Sequence, residues 1–570
     1  MVNLLRYFTY IRFAFSSTFF IVLISLTLPL GIAIEPSLGK MLFEKIFVTF
    51  DPYLLYKYLG IQVVLLGFGA VFGMLSAIHQ TKLFISVSNA IKEKMLGRLF
   101  HTRMKFFYEF DSGFILKRIA EDSDAVSNGI SAVISILCNS VNILSIGIVL
   151  YMIKPWVCYS YCLYLIVSMV WIPLWLKPIH IYNVKIGDLY SDLYSYFFQI
   201  LHGIKEVKIN NLYQSVDKKV NKISKKLKYA NILITVFYSL LYQISFFFPM
   251  ALYVTLLVIG LKEIDKGDFT IGMLLGLFGV LWVIFQPVQN VFSIIDTVQL
   301  GITASARMNA LKKAPREKSG KKKLVNFNNE IEFKNLSFGY DNATIILHNI
   351  DLCVKKGQKV AIVGATGSGK STLAQLLLSL ADDYQGDLLI DGVRVPDYSI
   401  TSLRDAIVYT TQDVHLFRDT IKNNIDLKRR LNEEEVMDII KKVNLHELVD
   451  SLPHGINSKI GEDGLTLSGG EKQRIAIARS FAANPQIMVF DEATASLDPE
   501  IEKKIIAEIE TFTRDKTVIF ISHRQEVIKK YDTIVVLKNG RIVEIGTHEM
   551  LSEKQGEYYS LFNMGPRINS

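Results

Sequence analysis

The sequence predicts a chain of two unlike parts: six membrane-spanning helices, then an α/β domain built around a phosphate-binding loop. Three observations carry this. Half of the residues are hydrophobic and the mean hydropathy is positive, with apolar residues crowding the first 300 positions and charged residues the rest. Apolar stretches at 13–34, 58–80, 129–153, 156–176, 230–260 and 269–295 are each long enough to cross a bilayer as a helix. Further on, Gly364-Ala365-Thr366-Gly367-Ser368-Gly369-Lys370-Ser371-Thr372 follows the apolar run Lys359–Val363 and precedes the helix-forming Leu373–Leu378. Strand, glycine loop, Lys-Ser, then helix is the order that such a loop requires. At 570 residues the chain is also too long for one core.

The first apolar run is longer than a signal-peptide core and a second span follows it, so it reads as a retained helix. Lys and Arg set the orientation. Segment 81–128 carries eight of them and 177–229 carries ten, against two each in 35–52 and 261–268. The two long loops, and with them both termini, are therefore expected on the cytoplasmic side of a plasma or inner membrane. Residues 82–107 and 183–229 keep apolar residues at helical spacing, so these loops read as membrane helices continued into the cytoplasm. Short turns are expected near Phe110–Gly113 and Leu201–Ile204.

No Asp, Glu, Lys, Arg or His sits centrally in a span, which argues against a proton- or ion-coupled carrier and places the energy source elsewhere. The polar side chains within spans are Asn139, Asn142, Gln243, Gln286, Gln289 and Asn290, and both cavity lining and interhelical bonding stay open for them. The fifth span is rich in aromatics, Tyr238, Tyr242 and Phe246 among them, which suits packing or contact with an apolar ligand. The net charge of +9 falls beside the spans, as the positive-inside rule expects, so nucleic acid is not an expected partner. Four cysteines give no disulfide framework.

Residues 311–329, with seven Lys and Arg, read as a polar connector. Beyond Ile331, strand-like runs at 359–363, 406–410, 486–490 and 517–521 alternate with helical patterns at 370–380, 433–443, 471–482 and 499–512. That alternation predicts a largely parallel sheet. Asn539-Gly540, between two apolar runs, predicts a hairpin turn.

In the glycine loop, backbone N–H groups would form a nest for phosphate oxygens at a helix N-terminus, with Lys370 reaching the β- and γ-phosphates and Ser371 holding Mg²⁺. Gln486–Glu492 is an apolar strand ending in two carboxylates. Asp491 is suited to the Mg²⁺ shell and Glu492 to the attacking water. Phe520–His523 brings an imidazole to the same sheet edge. Leu467-Ser468-Gly469-Gly470-Glu471 forms a second glycine-rich helix start. One nucleotide cannot easily use both loops of a single domain, whereas two copies facing head to tail would solve this.

The order of glycine loop, Gln412, Leu467–Glu471, Asp491-Glu492, Asp498 and His523 resembles the ATP-binding cassette family. The resemblance implies a multidomain chain, a six-helix transmembrane α domain of ABC exporter type followed by an α/β P-loop NTPase domain. Residues 1–310 would form the membrane domain, 311–330 a basic linker and 331–570 the cassette. It implies that Tyr340 stacks on adenine, and that Gln412 touches both Mg²⁺ and the membrane domain. Ser468, Gly469 and Gly470 would contact the γ-phosphate of ATP held by a partner, and Asp498 would lie in the loop between the sites. Gly461–Gly464 resembles a short exporter loop, with Asp463 where the family carries a basic residue. Phe106–Gly113 and Gly203–Lys208 resemble the family's two coupling segments. The implied activity is ATP hydrolysis coupled to export or flipping of an amphiphilic or hydrophobic lipid, peptide or drug. The implied partners are the bilayer and a second copy, a heterodimer staying open. An ATP-gated regulator or channel, or an exporter-shaped importer, stays as the alternative.

Overall fold

The structure is a computed structural model that describes residues 9, 15–25, 34, 38–43, 52–110, 112–267, 269–340, 344–428, 430–461 and 467–563. It divides into two compact units, Met1–His101 with Phe110–Ala314, and Thr102–Glu109 with Pro315–Ser570.

The helices are α1 Phe15–Ser25, α2 Pro52–Leu99, α3 Met104–Glu109, α4 Ser123–Ile153, α5 Pro155–His202, α6 Ile204–Ile209, α7 Tyr213–Asp265 and α8 Ile271–Lys313. The apolar stretches fall in α1, α2, α4, α5, α7 and α8; most of the first one beyond Ser25 lies outside the described residues. By length and composition alone, Pro52–Leu99, Gly113–Ile153 and Tyr213–Asp265 qualify as spans among the described residues. α2 and α5 run for 48 residues each and α7 for 53. At about 1.5 Å per residue they far outreach a ~30 Å hydrocarbon layer, as the continued helical spacing predicts. Lys154 is extended (φ −160°) and Pro155 opens α5, which turns the chain back after α4.

α2, α4 and α8 share one apolar core, in which Val87, Ile91 and Met95 meet Val126, Ile130, Ile134, Ala304 and Met308. The i, i+4, i+8 spacing puts each set on one helix face. At its edge Asp122 is buried and paired with both Arg118 and Arg307. Asp124 accepts from Ser88 and from Lys92. Asp122 is thus buried with partners, as burial of a charge requires, whereas Asp124 is partly exposed.

Among the described residues the second unit holds ten strands, β1 Glu330–Phe338, β2 Leu347–Lys355, β3 Lys359–Val363, β4 Gln385–Ile390, β5 Val393–Arg394, β6 Ile407–Thr410, β7 Ile487–Asp491, β8 Thr517–Ile521, β9 Thr533–Lys538 and β10 Arg541–Gly546. A six-stranded sheet runs β10-β9-β3-β8-β7-β6. It is parallel except for the β9–β10 hairpin, whose Asn539 (φ 48°) and Gly540 (φ 73°) make the expected turn. β3, β7 and β8 are almost wholly buried and read as uninterrupted apolar runs, which parallel strands covered on both faces do. The parallel reading misses a second sheet, β2-β1-β4-β5, which is antiparallel. The reason is visible in β2, where buried and exposed positions alternate along a one-sided strand.

The connector is not a free tether. Gly320 and Lys322 donate to Tyr398 and Asp397 carbonyls, and Leu324 and Phe327 join the core under β1 and β4. Its lysines point outward and hide two apolar anchors. Phe327→Ala should destabilise this unit by about 3–5 kcal/mol. Thermal unfolding of the whole chain should show one transition lowered by on the order of 10 °C. The exposed Lys321→Ala should shift stability by less than about 0.5 kcal/mol. Equal melting of both variants would show that Phe327 anchors nothing.

Candidate nucleotide site

β3 ends at Val363 and helix α9, Lys370–Leu377, begins after the glycine loop. Gly364 has φ 155°, and a Cβ there would lie 2.1 Å from the Leu537 carbonyl oxygen, so only glycine lets the loop pass so close to β9. Gly367 and Gly369 also take positive φ, and the Ser368 hydroxyl is buried without a partner. Lys370 is buried, and its Nζ donates to the carbonyls of Gly364 (2.9 Å) and Ala365 (3.0 Å). Burial lowers its pKa, opposed by the carboxylates of Glu492 and Asp491. Thr366 is exposed in the loop, Ser371 stands exposed at the helix start, and Thr372 turns into the core.

β7 lies one strand from β3 across β8, so Asp491 and Glu492 emerge at the same sheet edge as the loop. Asp491 is 4% exposed, and its Oδ2 accepts a 2.6 Å bond from the Tyr409 hydroxyl. Burial, with the Asp491 charge behind it, pushes the Tyr409 pKa well up, so Tyr409 stays a donor. Glu492 takes the left-handed conformation at φ 49°, which is unusual for a residue with a Cβ. Its N–H donates to the Ile521 carbonyl, and its Oε1 lies 3.0 Å from His523 Nε2. The sequence therefore brings Lys370, Asp491, Glu492 and His523 to one edge.

The loop after Glu492 is braced from three directions. Thr494 donates to buried Glu502, Arg524 pairs with Glu502 and reaches the Ala495 carbonyl, and Gln473 accepts from Ser496 N–H. Asp498 is exposed and opens helix α10, Pro499–Phe512. Upstream, the helix Gly469–Ala483 starts with a capping box: Ser468 Oγ accepts from Glu471 N–H, and Glu471 Oε2 accepts from Ser468 N–H. Gly469 is exposed and Gly470 half-exposed beside this cap. Gln412 is exposed in the turn after β6. The loop from Glu462 to Thr466 lies outside the described residues.

Tyr340 donates to Gln375 Oε1 at 2.8 Å and packs edge-on against Phe338. Tyr108 of α3 meets it edge-on, with centroids 6.0 Å apart. Arg103, just before α3, pairs with Asp382 (2.9 Å) and Asp383 (2.7 Å). Sequence reading missed Tyr409, Arg103, Gln473, Glu502 and Arg524. Tyr409 carried the one usable signal, a tyrosine in an apolar strand three residues before Gln412.

Residues 12–288 match the ABC transporter transmembrane region and residues 347–495 match the ABC transporter model. A protein of Francisella tularensis (strain SCHU S4 / Schu 4) named ATP-dependent lipid A-core flippase is 31% identical over 491 residues, 83% of this chain and 79% of its own. One of the same name from Desulfotalea psychrophila is 30% identical, over 92% of this chain and 93% of its own. A solved bacterial Atm1-family ABC exporter with ATP bound superposes with a TM-score of 0.86 at 25% identity, over 97% of this chain and 98% of that one. With its membrane region fused to an ATP-binding domain, the chain belongs to the ABC transporter family, as an exporter-type half-transporter whose ATP hydrolysis drives transport.

Proposed function

We propose that two copies of this chain flip an amphiphilic lipid across the inner membrane, with the ATP-binding domains in the cytoplasm. The observation that carries the ATPase half of this reading is the Glu492–His523 pair, held by a left-handed backbone beside the glycine loop. The relatives' printed name supports a lipid as cargo, as does the absence of central charge from the predicted spans.

Bound ATP would lie on the N–H nest of Gly364–Gly369, with adenine on Tyr340. Lys370 would leave its two carbonyls for the β- and γ-phosphates. Glu492 would take a proton from the attacking water, and His523 would hold Glu492 in place. Ser371, Asp491 and Gln412 offer hydroxyl, carboxylate and amide oxygen, a donor set that fits Mg²⁺. Mg²⁺ there would neutralise phosphate charge. With Tyr409 occupying Oδ2, Asp491 keeps Oδ1 for that role.

A second copy is inferred from the exposed Ser468–Gly470 helix start, which would face the partner's ATP. Leu201, Ile204, Ile209, Leu212 and Tyr213 are also exposed around α6, a surface suited to a protein partner. Both halves of a composite site occur in this sequence, so a homodimer suffices. Mixing Lys370→Ala chains with Ser468→Ala chains should leave one intact site and one doubly damaged site in each mixed dimer. Some ATPase activity should return; activity no better than either variant alone would contradict composite sites.

Glu492→Gln keeps the side chain's shape but cannot take a proton, and such help is worth roughly 10²–10⁴ in rate. The variant should bind ATP normally, hydrolyse it that much more slowly, and hold its two ATP-binding domains together. Near-normal turnover would remove Glu492 from the mechanism.

Tyr409→Phe keeps the ring and removes the hydrogen bond to Asp491. Bonds to charged groups are worth about 1.5–3 kcal/mol, so half-saturation by Mg²⁺ should rise roughly tenfold or more. Binding of a fluorescent ATP analogue in EDTA should not change. An unaltered Mg²⁺ dependence would mean that Tyr409 only packs.

A further inference from the structure

Within the membrane unit, α1, α2, α4 and α8 enclose a pocket of about 360 Å³. That lies within the ~300–1,000 Å³ range of ligand sites. Its polar wall is Ser76 and Gln80 of α2, Ser135, Asn139 and Asn142 of α4, and Asn290 of α8. None of the lining residues carries a formal charge. Asn142 is 9% exposed, and its Oδ1 has no hydrogen-bond partner. An acceptor buried without a donor is costly and marks a place where a donor belongs.

The bonds of Asn139, Ser135 and Gln80 run within single helices. Asn139 Nδ2 donates to the Ser135 carbonyl, Ser135 Oγ to the Ser131 carbonyl, and Gln80 Nε2 to Ser76 Oγ. These bonds do not clamp one helix to another, and they consume donors. What remains toward the pocket is uncharged amide and hydroxyl groups, with the Asn142 oxygen as its buried, unpartnered acceptor. A phosphate or carboxylate offers acceptors only and would find no cation here. A sugar ring offers several hydroxyl donors. Gln80 ends the second apolar stretch and Asn290 lies near the end of the sixth, on the side that Lys and Arg mark as cytoplasmic. A lipid leaving the cytoplasmic leaflet would meet this level with its head group.

We propose that this pocket is the head-group subsite of the transported lipid and that it takes an uncharged, hydroxyl-bearing head, a sugar ring. The proposal rests on the lipid-flipping reading above and adds the chemistry of the head. The test uses the full-length protein in nanodiscs of phosphatidylethanolamine and phosphatidylglycerol. The probes are a monoglucosyl diacylglycerol and, with the same acyl chains, phosphatidic acid. Binding is read without ATP as a shift in melting temperature, and flipping is read with ATP on fluorescent versions of both lipids.

Wild type should be stabilised by the glucosyl lipid and not by phosphatidic acid. Asn142→Leu should need at least tenfold more glucosyl lipid for the same shift. Without lipid it should melt no lower than wild type, because leucine replaces an unpartnered amide of similar size. Gln80→Leu, an exposed position on another helix, should weaken the same shift. A shift that survives in both variants, or an equal shift from phosphatidic acid, overturns the subsite. Glucosyl lipid that binds through Asn142 while ATP moves no lipid would sink the flipping reading and leave the subsite standing.

Discussion

Two carboxylates adjacent in the chain have to serve different ends, and the backbone between them is what allows it. Asp491 finishes β7 as a strand residue, buried, with one oxygen held by Tyr409. Had the strand continued, Glu492 would point to the opposite face, away from the sheet edge. Instead φ turns positive and Glu492 meets His523. Such a conformation costs on the order of 1–3 kcal/mol for a residue with a side chain. The surroundings over-determine it. Ile521 accepts the Glu492 N–H, Ala495 donates to the Glu492 carbonyl, and Glu502, Arg524 and Gln473 hold the following turn. The strain and its compensation both lie where the water-activating role is proposed, and a solvated strand end would need neither.

What the sequence made legible follows from the range of the interactions. β3, β7 and β8 are short apolar runs flanked by breakers, and the Asn539-Gly540 turn is a two-residue signal. The phosphate loop is a contiguous motif, so Lys370 and Ser371 could be named directly. The antiparallel sheet was lost because β1 and β2 mix buried and exposed positions. Tyr409 was lost because its partner is 82 residues away, and no periodicity links two parallel strands across that gap. Leu324 and Phe327 were lost among lysines, since composition averages over residues while burial acts on each one.

The membrane half shows the same contrast. Long amphipathic continuations of α2, α5 and α7 could be read from spacing. The polar contacts could not. Tyr238, read among the fifth-span aromatics, donates its hydroxyl to Asp296, and Asn183 donates to both. An aromatic with a committed hydroxyl is a structural tie as well as an apolar surface. Of its neighbours, Phe246 is exposed, and the side chain of Tyr242 lies outside the described residues.

ATP hydrolysis drives transport, and one of the segments that join the membrane helices packs within the ATP-binding unit. Thr102–Glu109 clusters with the ATP-binding unit although it is flanked in sequence by α2 and α4. Arg103 explains why. Its N–H donates to the Pro315 carbonyl, its guanidinium takes Asp382 and Asp383, and the side chain is largely shielded from water. An exposed pair would be worth about 0–1 kcal/mol. A shielded guanidinium shared by two carboxylates is held more strongly, because removing either side leaves a charge without a partner. On the same segment Tyr108 rests on Tyr340, the ring proposed to stack on adenine. One aromatic contact and one ionic clasp thus join this segment to the unit that carries the proposed nucleotide site.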